Sequence, residues 1–503
     1  MEVNPGNSRQ MGHYLLQGNV PSHSLSRRSI LFGLMTTGVA SWQLLRPTLA
    51  TEPSHSFFDA TWDTARGIRT RTLVELEGEL RVRDHRAKIG DAVQWIELAA
   101  NSTADMTEFF ASPIPETDGV VSVIDLHEAA VDHRVGKVTQ QRRVRPDVAR
   151  LVRVRDAGLV LTTGQDQPLS RDERDLVDGV LWSLYADELL PGGALKLGAS
   201  WEPSSDSICR LLNLDSVLRH AVVAKLEEAD ESVAQITFGG RVEGAAKEVP
   251  TTITIDGKAR YDRKAKMIQW IAASLEEHRE IGEAVPGFRV TARVRMLRAP
   301  VDRAVVGERL KEEQALAVPQ HGGRLLRVAG KEAGFSLLAS QRWHVMADRG
   351  DHMLMKYVEN NKPFAQCNIT RLPDLDPGQH QSLEGFQADL RTSLGEQFSQ
   401  FLEASEAQSE GGLRLLRTVS QGVAQDLDVT WIHLHLSNDQ GERFTVVFTM
   451  DASNLAKLEG QDLQIASGFR IEPRSSAAAG PTAAPDATTA EATSQASPAE
   501  VAR

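Results

Sequence analysis

The chain has 503 residues, of which 41% are hydrophobic and 25% charged, and its formal net charge is −12. At roughly 100–200 residues per domain that length holds about two to four domains. The ordinary globular composition excludes a collagenous chain, a polytopic membrane protein and a broadly basic nucleic-acid binder. Two cysteines, Cys209 and Cys367, are too few for a disulfide scaffold.

Residues 1–50 read as an export signal. A polar stretch, 1–25, leads into Ser26-Arg27-Arg28-Ser29-Ile30-Leu31-Phe32, an apolar run to Leu45, and Arg46-Pro47-Thr48-Leu49-Ala50. Paired arginines before a moderately apolar run resemble a twin-arginine signal, and Ala50 offers a small residue for cleavage. A general secretory signal and an uncleaved anchor are the other readings. The apolar run, about 16 residues, is shorter than the ~20 a membrane span needs. No cysteine follows it, which excludes lipidation there. Arg9, Arg27, Arg28 and Arg46 against Glu2 give the segment +3, leaving −15 for the remainder. Such a chain is repelled by nucleic acid. The expected location is the periplasm or cell envelope.

Residues 55–298 are expected to form a β-rich domain. From Thr70 to Arg83 apolar residues alternate with charged ones, Val74, Leu76, Leu80 and Val82 against Glu75, Glu77, Glu79 and Arg81, which predicts a half-buried strand. Val120, Val123, Ile124, His127 and Val131 fall at helical spacing and predict a helix over Gly119–Val131. Leu151–Leu161 reads as a strand. Ser170 with Glu173 is a capping box that opens a helix, which Leu189-Leu190-Pro191-Gly192-Gly193 ends. Further strands are predicted at Leu195–Trp201, Val217–Glu227, Val233–Val242, Thr252–Tyr261, Met267–Leu275 and Phe288–Met296. Strands outnumber helices, so the prediction is a curved antiparallel sheet with a few helices on one face. Leu190-Pro191, Lys196-Leu197-Gly198-Ala199-Ser200-Trp201, Arg260-Tyr261-Asp262 and Glu276-Glu277-His278-Arg279 resemble secreted planctomycete-type domains of unknown function. That resemblance implies no activity.

Residues 299–323 form a linker with a short helix in Arg303–Gln314. Residues 324–472 make a second domain. Gly334-Phe335-Ser336-Leu337-Leu338 precedes Trp343, and His352–Val358 and Phe364–Leu372 alternate as strands. A helix capped by Ser382 is predicted to carry Leu383, Phe386, Leu390, Leu394, Phe398 and Phe401 on one face. Strands at Leu413–Val423, Leu427–Leu436 and Arg443–Met450, a short helix Ala452–Leu458 and a last strand Asp462–Ile471 complete it. This order resembles the PsbP-like α/β/α sandwich, carried by Gly334-Phe335 with Trp343, Cys367, Phe386, Leu390, Trp431 and Phe448. Ser340-Gln341-Arg342 stand where such sequences often place a proline. The resemblance implies a non-enzymatic binding or assembly module. The fold class expected for the whole chain is α+β. Residues 473–503, rich in Ala, Thr, Ser and Pro, are expected to be a disordered tail.

The chemistry motifs are sparse. There is no glycine-rich phosphate loop, no Gly-x-Ser-x-Gly elbow and no Cys-x-x-Cys, so no cofactor is expected. His127-Glu128 lacks the second histidine of a zinc-protease helix, which Val131 replaces. Asp374-Leu375-Asp376-Pro377-Gly378 has the wrong spacing for a calcium loop and reads as a turn. His433 and His435 share one strand face with Trp431. They are weak candidate metal ligands if His344 or His352 completes the set, and otherwise part of a polar face beneath helices. Eight basic residues between Arg134 and Arg155 face a single acid, Asp147. Arg142, Arg143 and Arg145 are its candidate docking patch for an anionic partner, against plain solvated strand faces. Cys209 and Cys367 are expected as buried free thiols, with a disulfide as the alternative. The leading functional reading is an exported, non-catalytic envelope protein that binds other proteins. The alternatives are a carrier of a lipid or other apolar ligand in the first domain and a hydrolase of envelope polymers.

Overall fold

The computed structural model describes residues 55–56, 65–83, 93–110, 119–156, 159–179, 183–313, 324–458 and 460–474. The expected export signal and the tail beyond 474 lie outside these. In chain order the strands of the first half are β1 (His55–Ser56), β2 (Arg66–Arg83), β3 (Val93–Phe110), β4 (Gly119–Val135), β5 (Val138–Arg143), β6 (Arg150–Asp156), β7 (Leu159–Gly164), β8 (Ala194–Leu195), β9 (Ser200–Trp201), β10 (Ser216–His220), β11 (Val223–Ala229), β12 (Val233–Ala246), β13 (Val249–Asp262), β14 (Met267–Arg279) and β15 (Gly287–Pro300). The helices among them are α1 (Arg171–Asp178) and α2 (Ser205–Leu211), with a 3-10 turn at Ser183–Leu189; α3 (Arg303–Glu313) follows. The second half holds β16 (Leu325–Gly330), β17 (Phe335–Ser340), β18 (Trp343–Arg349), β19 (His352–Glu359), β20 (Lys362–Arg371), α4 (Leu383–Leu394), β21 (Phe398–Gln408), β22 (Arg414–Ala424), β23 (Leu427–Ser437), β24 (Arg443–Asp451), α5 (Gln461–Gly468) and β25 (Arg470–Ile471).

Period-2 patterning builds a large antiparallel sheet in the order β7-β6-β4-β3-β2-β15-β14-β13-β12-β11-β9, with β10 and β5 pairing β12 and β4 off that path. Among the described residues its apolar face is packed. Phe238, Ile255, Ile271 and Val294 meet Ile208 and Leu211 of α2 and Leu189 of the 3-10 turn in one core. Each such side chain contributes about 2 kcal/mol by leaving water. The outer face of β2 and β15 carries the charged residues, Arg289 opposite Glu79 and Arg293 opposite Glu75.

A seven-stranded antiparallel sheet, β18-β19-β20-β24-β23-β22-β21, and a three-stranded one, β16-β17-β25, make the second half. Phe335, Cys367, Ile432, Leu434, Phe448, Ile465 and Phe469 share its core, so β17 and α5 pack on one face of the larger sheet. On the other face Phe386 and Leu390 of α4 meet Leu416. The chain as described is dominated by antiparallel sheet, with 60% strand against 16% helix.

Several expectations are corrected. The helix opened by Ser170 ends at Asp178, and Ser183–Leu189 is a separate 3-10 turn; Leu151–Leu161 spans two paired strands, β6 and β7; and Leu195–Trp201 holds the ends of two short strands, β8 and β9. Gly119–Val131 is strand, not helix. Val121, Ser122, Val123 and Ile124 are all buried, and a strand covered on both faces loses the alternation that marks it. The helix after Ser382 stops at Leu394, where Gly395 takes φ 52° and ends it as glycine does at a helix C-terminus. Phe398 and Phe401 therefore lie on β21. The segment Asp462–Ile471 is mostly helix: Asp462, Ile465 and Ala466, spaced by three and four, are the buried residues of α5. Val217–Glu227 is two strands, β10 and β11, both pairing β12. The short element Ala452–Leu458 is a 3-10 helix. No helix among the described residues is long and apolar enough to cross a membrane.

Candidate functional site

The capping box predicted at Ser170 is present and does more than start a helix. Ser170 Oγ accepts from the Glu173 amide, and the Ser170 amide donates to Glu173 Oε2 at 2.8 Å. Glu173 Oε1 also accepts from Arg145 Nε at 2.7 Å and from the Arg145 amide at 3.0 Å. Burial pushes this carboxyl up, but the hydrogen bonds from Arg145 and Ser170 outweigh it and hold it below its ordinary range. One residue thus ties the start of α1 to the loop between β5 and β6. Replacing Ser170 by Ala is expected to lower unfolding stability by about 1 kcal/mol, readable as a shifted urea midpoint.

From this anchor α1 reaches the second half. Arg171 Nη2 donates to the carbonyls of Gln341 and Trp343, the latter at 3.2 Å. Arg174 Nη1 donates to Gln341 Oε1 at 3.4 Å, and the Arg327 amide donates to the Leu169 carbonyl at 2.9 Å. A second bridge joins Lys356 to Glu283 at 3.0 Å.

Between these halves lies a cleft of 630 Å³. Its floor is the outer face of the three-stranded sheet, where Arg327 pairs in register with Leu338 and Ser336 with Arg470. Arg145, Asp147 and Asp166 wall it on one side, and Glu410, Gln464 and Ser467 on the other. Arg327 Nη2 sits 2.9 and 3.1 Å from the two Glu472 oxygens, and Ser336 Oγ donates to the same carboxylate. Burial raises the Glu472 carboxyl, and Ser336 and Arg327 more than reverse that. Arg470 bonds only the carbonyls of Ser467 and Phe469, at 2.7 and 2.8 Å. Among the described residues it has no carboxylate partner, and neither Asp166 nor Glu410 has a basic one. The cleft therefore offers uncommitted groups of both signs around the apolar Leu325 and Leu338.

The structure divides the three arginines of the predicted patch. Arg142 and Arg143 are neighbours on β5 and point to opposite faces. Arg142 pairs Asp172 of α1 at 2.7 Å, Arg145 turns in to Glu173, and only Arg143 stays on the outer face. Arg153, counted in the same basic run, is fully buried, with Nε 2.7 Å from Glu108 and Nη1 2.8 Å from Thr162 and 3.4 Å from Asp178. Sequence reasoning found Arg145 through charge counting. It missed Arg327, Arg470 and Glu472, which carry no local signal because the cleft joins segments more than 140 residues apart.

His433 and His435 do share a face of β23 with Trp431, and the face is buried: His433 is 5% exposed and His435 1%. Desolvation lowers both imidazoles to about 4, aided for His435 by Arg443 and Arg414. They stay neutral near pH 7. The candidates for a third ligand do not join them, because β20 and β24 separate β23 from β19 with His352, and His344 lies one strand further on β18. No group of three or more His, Cys, Asp or Glu among the described residues is placed to hold a metal ion. Both cysteines are free thiols: Cys367 is buried, whereas Cys209 is only half-buried and donates to the Leu214 carbonyl at 3.1 Å. Under α1, beside Thr70, Ser102 and Arg153, the cavity measures 40 Å³, room for about one water molecule.

No protein family matches the chain, and no curated protein does. Solved structures similar to part of it include a protein from Bacteroides thetaiotaomicron (12% identity, TM-score 0.22), of which 48% is covered by 29% of this chain. Cyanobacterial PsbP (CyanoP) from Synechocystis sp. PCC 6803 is similar at 12% identity and TM-score 0.24, over 29% of this chain and 92% of that one. LpqN of Mycobacterium tuberculosis, described as involved in cell envelope biogenesis, is similar at 15% identity and TM-score 0.23, over 30% and 91%.

Proposed function

We propose that the chain is an exported envelope protein that binds other proteins and catalyses no reaction, and that the cleft between its halves receives the partner. The single observation that carries this is the cleft itself: 630 Å³, a sheet floor, and uncommitted Arg470, Asp166 and Glu410 on its lining. Mixed charge around a small apolar strip suits an extended polypeptide segment with side chains of both signs. The filled core of the large sheet speaks for this reading over an apolar carrier. The experiment places a photo-crosslinking residue at Gln167, in the cleft, and at Thr291, on the outer face of β15. A discrete protein adduct is expected at position 167 in the native envelope and not at 291. Arg470→Glu should reduce that adduct severalfold. Equal adducts at both positions, or one indifferent to Arg470→Glu, would sink the proposal.

A further inference from the structure

The outer face of the large sheet gathers cations that no described residue pairs. Strand register sets three rows across β13, β14 and β15: Arg260–Trp270–Leu297, Lys258–Ala272–Arg295 and Asp256–Ser274–Arg293. Lys258, Arg260, Arg293 and Arg295 are exposed. Among the described residues none of the four makes a hydrogen bond or ion pair. Glu227 and Asp230 act on Lys258 and Arg260 only at longer range. The nearby Arg71 of β2, by contrast, is held by Asp105 at 2.7 Å. The unpaired cations stand on the two strands that flank β14, whose own outward residues between them, Ala272 and Ser274, are short. Trp270 lies half-buried at one end of this furrow, and Leu297 beside it is 57% exposed.

Neighbouring strands lie about 4.8 Å apart, so the two cationic walls stand about 10 Å from each other and leave room for a single chain between them. Cations gathered this closely repel one another until an anion joins them, and the arginine fork fits a carboxylate with two hydrogen bonds. A neutral chain would leave them unmatched. An anionic bilayer lying on this face would also meet Glu75, Glu77, Glu79 and Glu276, which would oppose it. An extended peptide joins a sheet by pairing with a free edge, and β13, β14 and β15 are paired on both sides. Single-stranded nucleic acid stacks its bases on successive aromatic side chains, and this furrow has one. What fits is a chain of anionic rings, with carboxylates for the walls and an apolar ring face for Trp270 and Leu297.

We propose that the furrow along β14 binds an acidic polysaccharide, its carboxylates between Lys258, Arg260, Arg293 and Arg295 and a sugar ring on Trp270. The test is isothermal titration of the full chain with hexa-galacturonate and hexa-guluronate. The comparison probes are neutral cellohexaose, hexaglutamate and hexathymidylate. At least one uronate is expected to bind with a Kd below about 1 mM. That affinity should fall severalfold as ionic strength rises from about 0.05 to 0.2 M. Each comparison probe should bind about tenfold more weakly than the better uronate. The double variant Lys258→Glu/Arg295→Glu should lose at least about tenfold in uronate affinity at an unchanged Tm, because both side chains are exposed and unpaired. Trp270→Leu should weaken uronate binding severalfold. Arg143→Glu/Lys362→Glu makes the same change of charge at exposed sites on β5 and β20 and should bind like the wild type. The proposal is overturned if neither uronate binds, or if Lys258→Glu/Arg295→Glu or Trp270→Leu leaves binding intact. Hexaglutamate or hexathymidylate binding as tightly as the uronates would overturn it in favour of an acidic protein or a nucleic acid. An equal loss in Arg143→Glu/Lys362→Glu would reduce the effect to net charge and overturn it too.

Discussion

Lowering the pH from 7 to 5 is expected to remove about 2 kcal/mol of folding stability for each of His433 and His435, rising to about 3 kcal/mol each near pH 4. Both imidazoles drop from 6.5 to about 4 on folding because burial disfavours their charged form. In the unfolded chain they take up protons at about 6.5. The folded protein resists until about 4, so between those values the unfolded state binds more protons and gains. Stability is therefore fully present above 6.5 and lost as the pH falls through the window. Around His435 the facing groups are Arg443, Arg414 and His380, all of which oppose a further positive charge. His344 is also lowered to about 4, by burial and then by Arg171 and Lys247. It lies where α1 meets the second half, so acid weakens that contact as well. Urea denaturation at pH 7 and pH 5 measures the effect directly. In His435→Leu the difference between the two pH values should shrink by about 2 kcal/mol. An unchanged difference in that variant would show that the buried pair is not its source.

Strand content was legible wherever one face is wet. The alternation from Thr70 to Arg83 lies within β2, and the Ser170–Glu173 spacing gave the start of α1 to the residue, because both signals are local. In the second half the same signal marked β17, β19, β20, β22, β23 and β24, while β16, β18 and β21 went unread. Errors fell where burial on both faces erased alternation, as in β4, or where one spacing fitted two elements, as in α4 running on toward Phe398. The site was legible only in fragments. Counting charges pointed to Arg145, but counting cannot tell that Arg142 and Arg143 part to opposite faces or that Arg153 is buried beneath α1. His433 and His435 were marked by their i, i+2 spacing. Thr418 and Ser420, which strand register places opposite His433 and Trp431, carried no such mark.

Replacing Arg153 by Met is expected to be the most damaging single polar substitution in the first half, at about 3–5 kcal/mol. Arg153 is fully buried, with its guanidinium 2.7 Å from Glu108, which also accepts from Ser122, and 3.4 Å from Asp178, which also accepts from Thr162. Methionine fills much of the volume but takes the arginine from two carboxyl groups, Glu108, which is buried, and Asp178, which is mostly so and keeps Arg174 as a positive neighbour. The loss belongs to those stranded acids rather than to the ion pairs as such. The triple variant Glu108→Leu/Arg153→Met/Asp178→Leu should accordingly recover most of the deficit, since an apolar set of similar volume is often neutral or better. The two variants also differ in pH response. Burial already holds the Asp178 carboxyl above its ordinary value, with Arg153 pulling it back down. Without that arginine the folded pKa rises further, and an acid with a raised folded pKa stabilises most at low pH and least at high pH. The deficit of Arg153→Met relative to the wild type should therefore narrow as the pH falls from 7 toward 5, whereas that of the triple variant should not. A deficit that is the same at both pH values would mean that the stranded carboxylates are solvated, and that the network beneath α1 opens when its arginine is lost.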